Sequence, residues 1–132
     1  MHSDSEAFSA TALMASITVK DLATSMAWYQ NVVGFTQGHK YERDGKLLAV
    51  SCKAGDIEIL LNQDDGAKGW ERQKGEGISL QFTTAQSVDA LAARIKANGG
   101  TLATEPADMP WGPRVFRVVD PDGFKLSFSS VG

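Results

Sequence analysis

Residues 77–104, GISLQFTTAQSVDALAARIKANGGTLAT, decide the fold. Ile78, Leu80 and Phe82 alternate with Ser79, Gln81 and Thr83, the period of a strand with one buried face. Ser87 then offers a helix N-cap, and Val88, Leu91 and Ile95 fall on one helical stripe closed by Gly99-Gly100. Short strands are expected at 101–104, 113–119 and 124–129. Pro121-Asp122-Gly123 is turn chemistry. Beyond it, Phe124, Leu126 and Phe128 alternate with Lys125, Ser127 and Ser129.

Upstream, the same order occurs. Residues 12–20, ALMASITVK, read as a strand with Ala15, Ile17 and Val19 on one face and Met14, Ser16 and Thr18 on the other. Asp21 is a helix N-cap, Leu22, Met26, Tyr29 and Val33 repeat at helical spacing, and Gly34 is placed to stop the helix. Strands follow at 35–43, 47–53 and 56–62. Asp44-Gly45 is a hairpin signal between the first two. In the last, Ile57, Ile59 and Leu61 alternate with Glu58, Leu60 and Asn62.

The expected fold is α+β, with two βαβββ modules in tandem within one structural domain. The modules are residues 12–62 and 77–130, each a small curved mixed sheet with one covering helix. Residues 1–11, small and polar, are expected to be a flexible tail that includes His2. Residues 63–76, QDDGAKGWERQKGE, are charged and lack an apolar period, which reads as a linker or mobile loop. The apolar faces must meet the helices, so the more polar faces line a shared cleft. They carry Ser16, Thr18, Glu58, Leu60, Ser79, Gln81 and Ser127, and these are the candidate ligand-binding residues together with Trp111 and Arg114.

Composition narrows the function. The 132 residues are 42% hydrophobic and 22% charged, with a net charge of −3, so the chain is globular and lacks the basic field that nucleic acid or an anionic membrane requires. No apolar run is long enough to span a membrane. The only cysteine, Cys52, can form neither an internal disulfide nor a cysteine zinc site. Its place in a strand reads as an inert core thiol. With no secretory pattern at the N-terminus, the expectation is a cytoplasmic protein.

Other chemistry is sparse. There is no Gly-x-Ser-x-Gly elbow, no spaced His/Cys pair and no phosphate-binding glycine loop. His39 reads as a half-exposed strand residue. Trp28 lies beside Tyr29 in the first helix. Trp70 and Trp111 lie in loops with acids near them: Asp64, Asp65, Glu71 and Glu76 around Trp70, and Glu105 and Asp108 before Trp111. A ring beside negative charge suits a planar, cationic ligand.

Three stretches, VKDLATSMAWYQNVVGF (19–35), SVDALAARIKANGG (87–100) and PWGPRVFRVVDPDGFKLSF (110–128), resemble the vicinal oxygen chelate superfamily of glyoxalases, extradiol dioxygenases and bleomycin-resistance proteins. The C-terminal Trp-Gly, Arg, Phe and Asp-Pro-x-Gly series is most similar to the bleomycin-resistance branch. The resemblance implies a homodimer whose paired chains complete the clefts. It also implies a stacking role for Trp111.

Enzymes of that superfamily hold a divalent metal on four strands, at positions that map here to Met14, Glu58, Ser79 and Ser127. Only Glu58 is a competent ligand, whereas a catalytic metal needs about three. The expectation is therefore a protein without metal or other cofactor that sequesters a small organic molecule, an antibiotic in its specific form. The alternative is a glyoxalase-like lyase, isomerase or dioxygenase with Glu58 as base or metal ligand. Glu58 could equally be salt-bridged to Arg114, Arg117 or Lys125.

Overall fold

The computed structural model describes residues 7–131. In the first module β1 (Ala15–Val19) leads through α1 (Leu22–Ala27) to β2 (Thr36–Arg43), β3 (Lys46–Ala54) and β4 (Ile57–Gln63). In the second, β5 (Ser79–Thr84) leads through α2 (Val88–Ala97) to β6 (Leu102–Asp108), β7 (Arg114–Val119) and β8 (Lys125–Ser130). The strand orders are β1-β4-β3-β2 and β5-β8-β7-β6. Each sheet is mixed: β1 runs parallel to β4 and β5 to β8, and the remaining pairs are antiparallel. The chain is thus α+β, two βαβββ modules in tandem.

Local chemistry explains the elements. Asp44 and Gly45 both take positive φ, 52° and 78°, the geometry of the tight turn whose twist suits a hairpin. Asp21 accepts the amides of Ala23 and Thr24, and Ser87 accepts that of Ala90, so each helix begins on a side-chain cap. After Ala27 the first helix widens into a π-helical segment, Trp28–Val33, in which the Gly34 amide donates to the Tyr29 carbonyl five residues back. Gly34 ends it at φ 108°.

Three details differ from the sequence expectation. β1 begins at Ala15 rather than residue 12, and Leu13 before it is fully exposed. β6 runs on to Asp108, because register shifts on either side of Thr104 let it keep pairing with β7. The stretch after Gln63 is tied down by charge. Lys74, itself buried, places Nζ 2.9 Å from Asp64 and 3.6 Å from Asp122, and Arg72 reaches Asp64 at 3.4 Å. Gly75 lies so close to the Gly123 carbonyl that a Cβ would stand 2.4 Å from it.

The helix-facing sides of both sheets share one core. An aromatic file runs through it from Trp28 through Tyr29, Phe35, Phe82 and Phe128 to Phe116, with ring centroids 4.9–5.7 Å apart. Tyr29 joins the modules. Its hydroxyl donates to Asp120 at 2.7 Å, and Asp120 also accepts the amides of Asp122 and Phe124. Asp122 in turn accepts the Lys20 amide and the Ser25 hydroxyl. No helix among the described residues is long and apolar enough to cross a membrane.

Candidate functional site

The sheets' other faces are left open. Alternation puts Ile17, Ile59 and Leu61 in the core, so Ser16, Thr18, Glu58 and Leu60 share the open face of the first sheet. Ser16 pairs directly with Leu60. Asn62 belongs to this face as well, and its amide fastens β4 to β1 by donating to the Ser16 hydroxyl at 2.8 Å and the Ile17 carbonyl at 3.2 Å. On the second sheet Leu126 and Phe128 are core residues, which turns Ser79, Gln81 and Ser127 to the other face, where Ser79 and Gln81 are exposed and Ser127 is buried at 6% exposure. The pairs there are Ser79 with Lys125 and Gln81 with Ser127.

Glu58 lies opposite Lys53 on β3. Both side chains, with the Ser51 hydroxyl, crowd over Gly38: a Cβ there would meet Ser51 Oγ at 2.2 Å, Glu58 Oε2 at 3.3 Å and Lys53 Cδ at 3.3 Å. The bare backbone at Gly38 is what gives Glu58 its place. The ion pairs of the described residues do not include Glu58. Arg114, Arg117 and Lys125 all belong to the other sheet.

Arg114 is not brought to this face. It alternates with Val115 on β7 and turns to the helix side, where Nε and Nη2 clasp the two oxygens of Asp89 on α2 at 2.8 and 3.0 Å while Nη1 reaches Asp108 at 3.2 Å. These bonds hold Arg114 charged and pull Asp89 below the usual carboxylate range. The arginine that does face outward is Arg117, paired across the ladder with Ser127. Phe116 and Val118 flag it, since two core residues at even positions force odd positions out. Trp111 sits in the β6–β7 turn, where the Met109 amide donates to the Pro113 carbonyl and the Gly112 amide to the Met109 carbonyl, and is 72% exposed.

The two modules superpose by register. The parallel ladders end at Val19 with Gln63 and at Thr84 with Ser130. Counting back, Ser127 is matched by Leu60, and Glu58 is matched by Lys125. Met14, Glu58, Ser79 and Ser127 therefore do not form one level of donors, and a lysine stands where the second module would repeat Glu58. Among the described residues no three His, Cys, Asp or Glu side chains come together to hold a metal ion. This donor set does not fit a catalytic divalent metal.

The acids near the loop tryptophans are largely engaged. Glu71 pairs with Lys20, Asp64 with Lys74 and Arg72, Glu105 with Lys96, and Asp108 with Arg114. The Lys74 and Gly66 bonds hold Asp64 down at about 2. A hollow of about 570 Å³ lies where the modules meet, bounded by Lys20, Asp21, Ser25, Gln63, Trp70 and Asp122. Most of its polar groups already serve the joint: the Gln63 amide binds Leu22, Lys20 and Asp64, and Ser25 binds Asp122. Cys52 is buried against Met26, and burial pushes its thiol up to about 11, which keeps it protonated and unreactive.

Solved structures share this architecture. A glyoxylase/bleomycin resistance protein/dioxygenase domain from a Frankia species is 20% identical, with TM-score 0.75 over 96% of this chain and 94% of that one. A superfamily member from Sphaerobacter thermophilus is 22% identical, with TM-score 0.73 over 92% and 98%. TioX from a Micromonospora species is 19% identical, with TM-score 0.71 over 92% and 98%. No curated protein sequence matches the chain. Residues 11–128, nearly the whole chain, match one family description, and the chain belongs to the Glyoxalase/Bleomycin resistance protein/Dioxygenase superfamily.

Proposed function

We propose that the protein binds a small organic molecule against the open sheet faces, as a homodimer in which a second copy helps to cover them. Sequestration by burial is the function, and capture of an antibiotic is its specific form. One observation carries this reading. Ser16, Thr18, Ser79 and Gln81 present hydrogen-bonding groups on faces that no helix or strand of the described residues covers, and the donor set among them does not fit a metal. The outer edges of β1, β2, β5 and β6 are also unpaired among the described residues, and such edges are usually covered. Trp111, on its exposed turn, supplies a stacking wall.

The test combines ligand-induced melting shifts with tryptophan quenching, over planar compounds that include bleomycin. Stacking on an exposed ring is worth about 0.5–2 kcal/mol, so Trp111→Ala should weaken binding roughly threefold to thirtyfold while Trp111→Phe retains most of it. Light scattering at micromolar concentration should give a dimer. A monomer that shows no shift with any compound would contradict the reading.

A further inference from the structure

The open face of the second sheet has an uneven charge. Five cations elsewhere are answered by carboxylates: Lys20 by Glu71, Arg72 and Lys74 by Asp64, Lys96 by Glu105, Arg114 by Asp89. Arg117 and Lys125 are in none of these pairs, and both are exposed. They occupy adjacent antiparallel strands. Arg117 pairs with Ser127 and Lys125 with Val119, which makes the two basic residues diagonal neighbours on one face. Diagonal neighbours lie about 7–8 Å apart at Cα, within reach of long side chains converging on one group.

Among the described residues no acid shares that face. β5 contributes Ser79, Gln81 and Thr83, β8 contributes Ser127 and Ser129 beside Lys125, and β7 contributes Val115 and Val119 beside Arg117. The acids of β6 both turn to the helix side, Glu105 onto Lys96 and Asp108 onto Arg114. Two like charges on one uncovered face, in a chain whose net charge is −3, are a receptor for an anion. Arginine offers a planar fork matched to two oxygens, lysine a point charge, and neighbouring hydroxyls further donors.

From this we infer that the second module binds the oxyanion head, carboxylate or phosphate, of a small organic acid through Arg117 and Lys125, with the exposed Ser79 and Gln81 beside it. This rests on the binding reading above and gives the ligand a charge opposite to the one that the loop acids suggest in the sequence.

The experiment uses one aromatic body with four heads: 2-naphthoate, 2-naphthyl phosphate, 2-naphthamide and 2-naphthylmethylammonium. Each is titrated calorimetrically into the full chain at low salt and at 0.5 M salt. Both anions should bind at least roughly tenfold tighter than the ammonium and the amide, an advantage of about 1.4 kcal/mol, and high salt should shrink it. Phosphate ahead of carboxylate, or the reverse, identifies the head group. R117Q/K125Q should abolish the preference with an unchanged melting temperature, because both positions are exposed. K20Q/K96Q, which removes the same charge away from this face, should keep it.

Equal or tighter binding of the ammonium would overturn the inference and leave the binding reading intact. So would an anion preference that survives R117Q/K125Q. Conversion of that variant to a monomer without loss of anion preference would assign the face to the second copy. Failure of all four compounds to bind would count against both the inference and the reading beneath it.

Discussion

Removing the Tyr29 hydroxyl should loosen the joint between the modules, and the loss should depend on pH. Tyr29→Phe keeps the ring, and with it the edge contacts to Trp28 and Phe35 at 4.9 and 5.5 Å. Only the 2.7 Å bond to Asp120 disappears. Both groups are buried, Tyr29 at 0% and Asp120 at 4% exposure. Asp120 is left with its two backbone amides. A buried hydrogen bond to a charged group is worth about 1.5–3 kcal/mol, and one between neutral groups about 0.5–1.5. For a chain of this length each kcal/mol moves Tm by about 3–5 °C, so the variant should melt roughly 5–15 °C lower at neutral pH.

The sign of the pH effect follows from Asp120. Burial, the largest influence, raises its pKa above the ordinary 3.8, and the bonds from Tyr29 and the two amides only partly oppose this. The folded state therefore favours the protonated acid. Its contribution to stability is fullest below 3.8 and is lost as pH rises through the folded value. The Tyr29 bond supports the carboxylate, so its removal costs most where Asp120 is ionised. Scanning calorimetry of both proteins at pH 4 and pH 7 should show the larger deficit at pH 7. A deficit below about 0.5 kcal/mol at pH 7, or one that is the same at both pH values, would refute this account of the joint.

Asp64, held down at about 2 by Lys74, contributes stability that is present above the ordinary carboxylate pKa of 3.8 and lost as pH falls toward 2. Asp64→Asn should therefore lower Tm at pH 7, with the gap to wild type closing by pH 2, as thermal melts across that range will show. Gly38→Ala forces a Cβ to within 2.2 Å of Ser51 Oγ, which accepts the His39 amide; overpacking of this kind costs about 1–3 kcal/mol, readable in a urea titration. Cys52, buried with its thiol pushed up to about 11, should react with a disulfide reagent only as the chain unfolds. A native-state rate close to that of a free thiol would contradict its placement.

Much of the fold was legible because local signals agreed with one another. Alternation over Ser79–Phe82 and Lys125–Ser129, the caps Asp21 and Ser87, and the stop at Gly34 are short-range features, and their order recurs in both halves. The widening of the first helix over Trp28–Val33 carries no such signal. Gly100 packs against it, where a Cβ would stand 2.6 Å from Val32 and from Ile95, so this segment meets a neighbour far along the chain. The anchoring of the stretch after Gln63 is equally remote, since Lys74 finds Asp122 only once the second module has folded.

The candidate site divides along the same line. Ser16, Thr18, Glu58 and Leu60 follow from alternation within single strands, as do Ser79, Gln81 and Ser127. Arg114 does not, because two arginines lie three apart on β7 and an odd spacing sends them to opposite faces of a strand. The choice between them is made by Phe116 and Val118, which are fully buried and carry Arg114 with them to the helix side, where Asp89 completes it. The same reasoning governs charge. Acids counted along the sequence near Trp70 and Trp111 suggest a cation, yet a carboxylate bound to a lysine or arginine at 2.7–3.4 Å presents little net field to a ligand. What a ligand meets is the charge left after pairing. On the open face of the second sheet that remainder is Arg117 and Lys125.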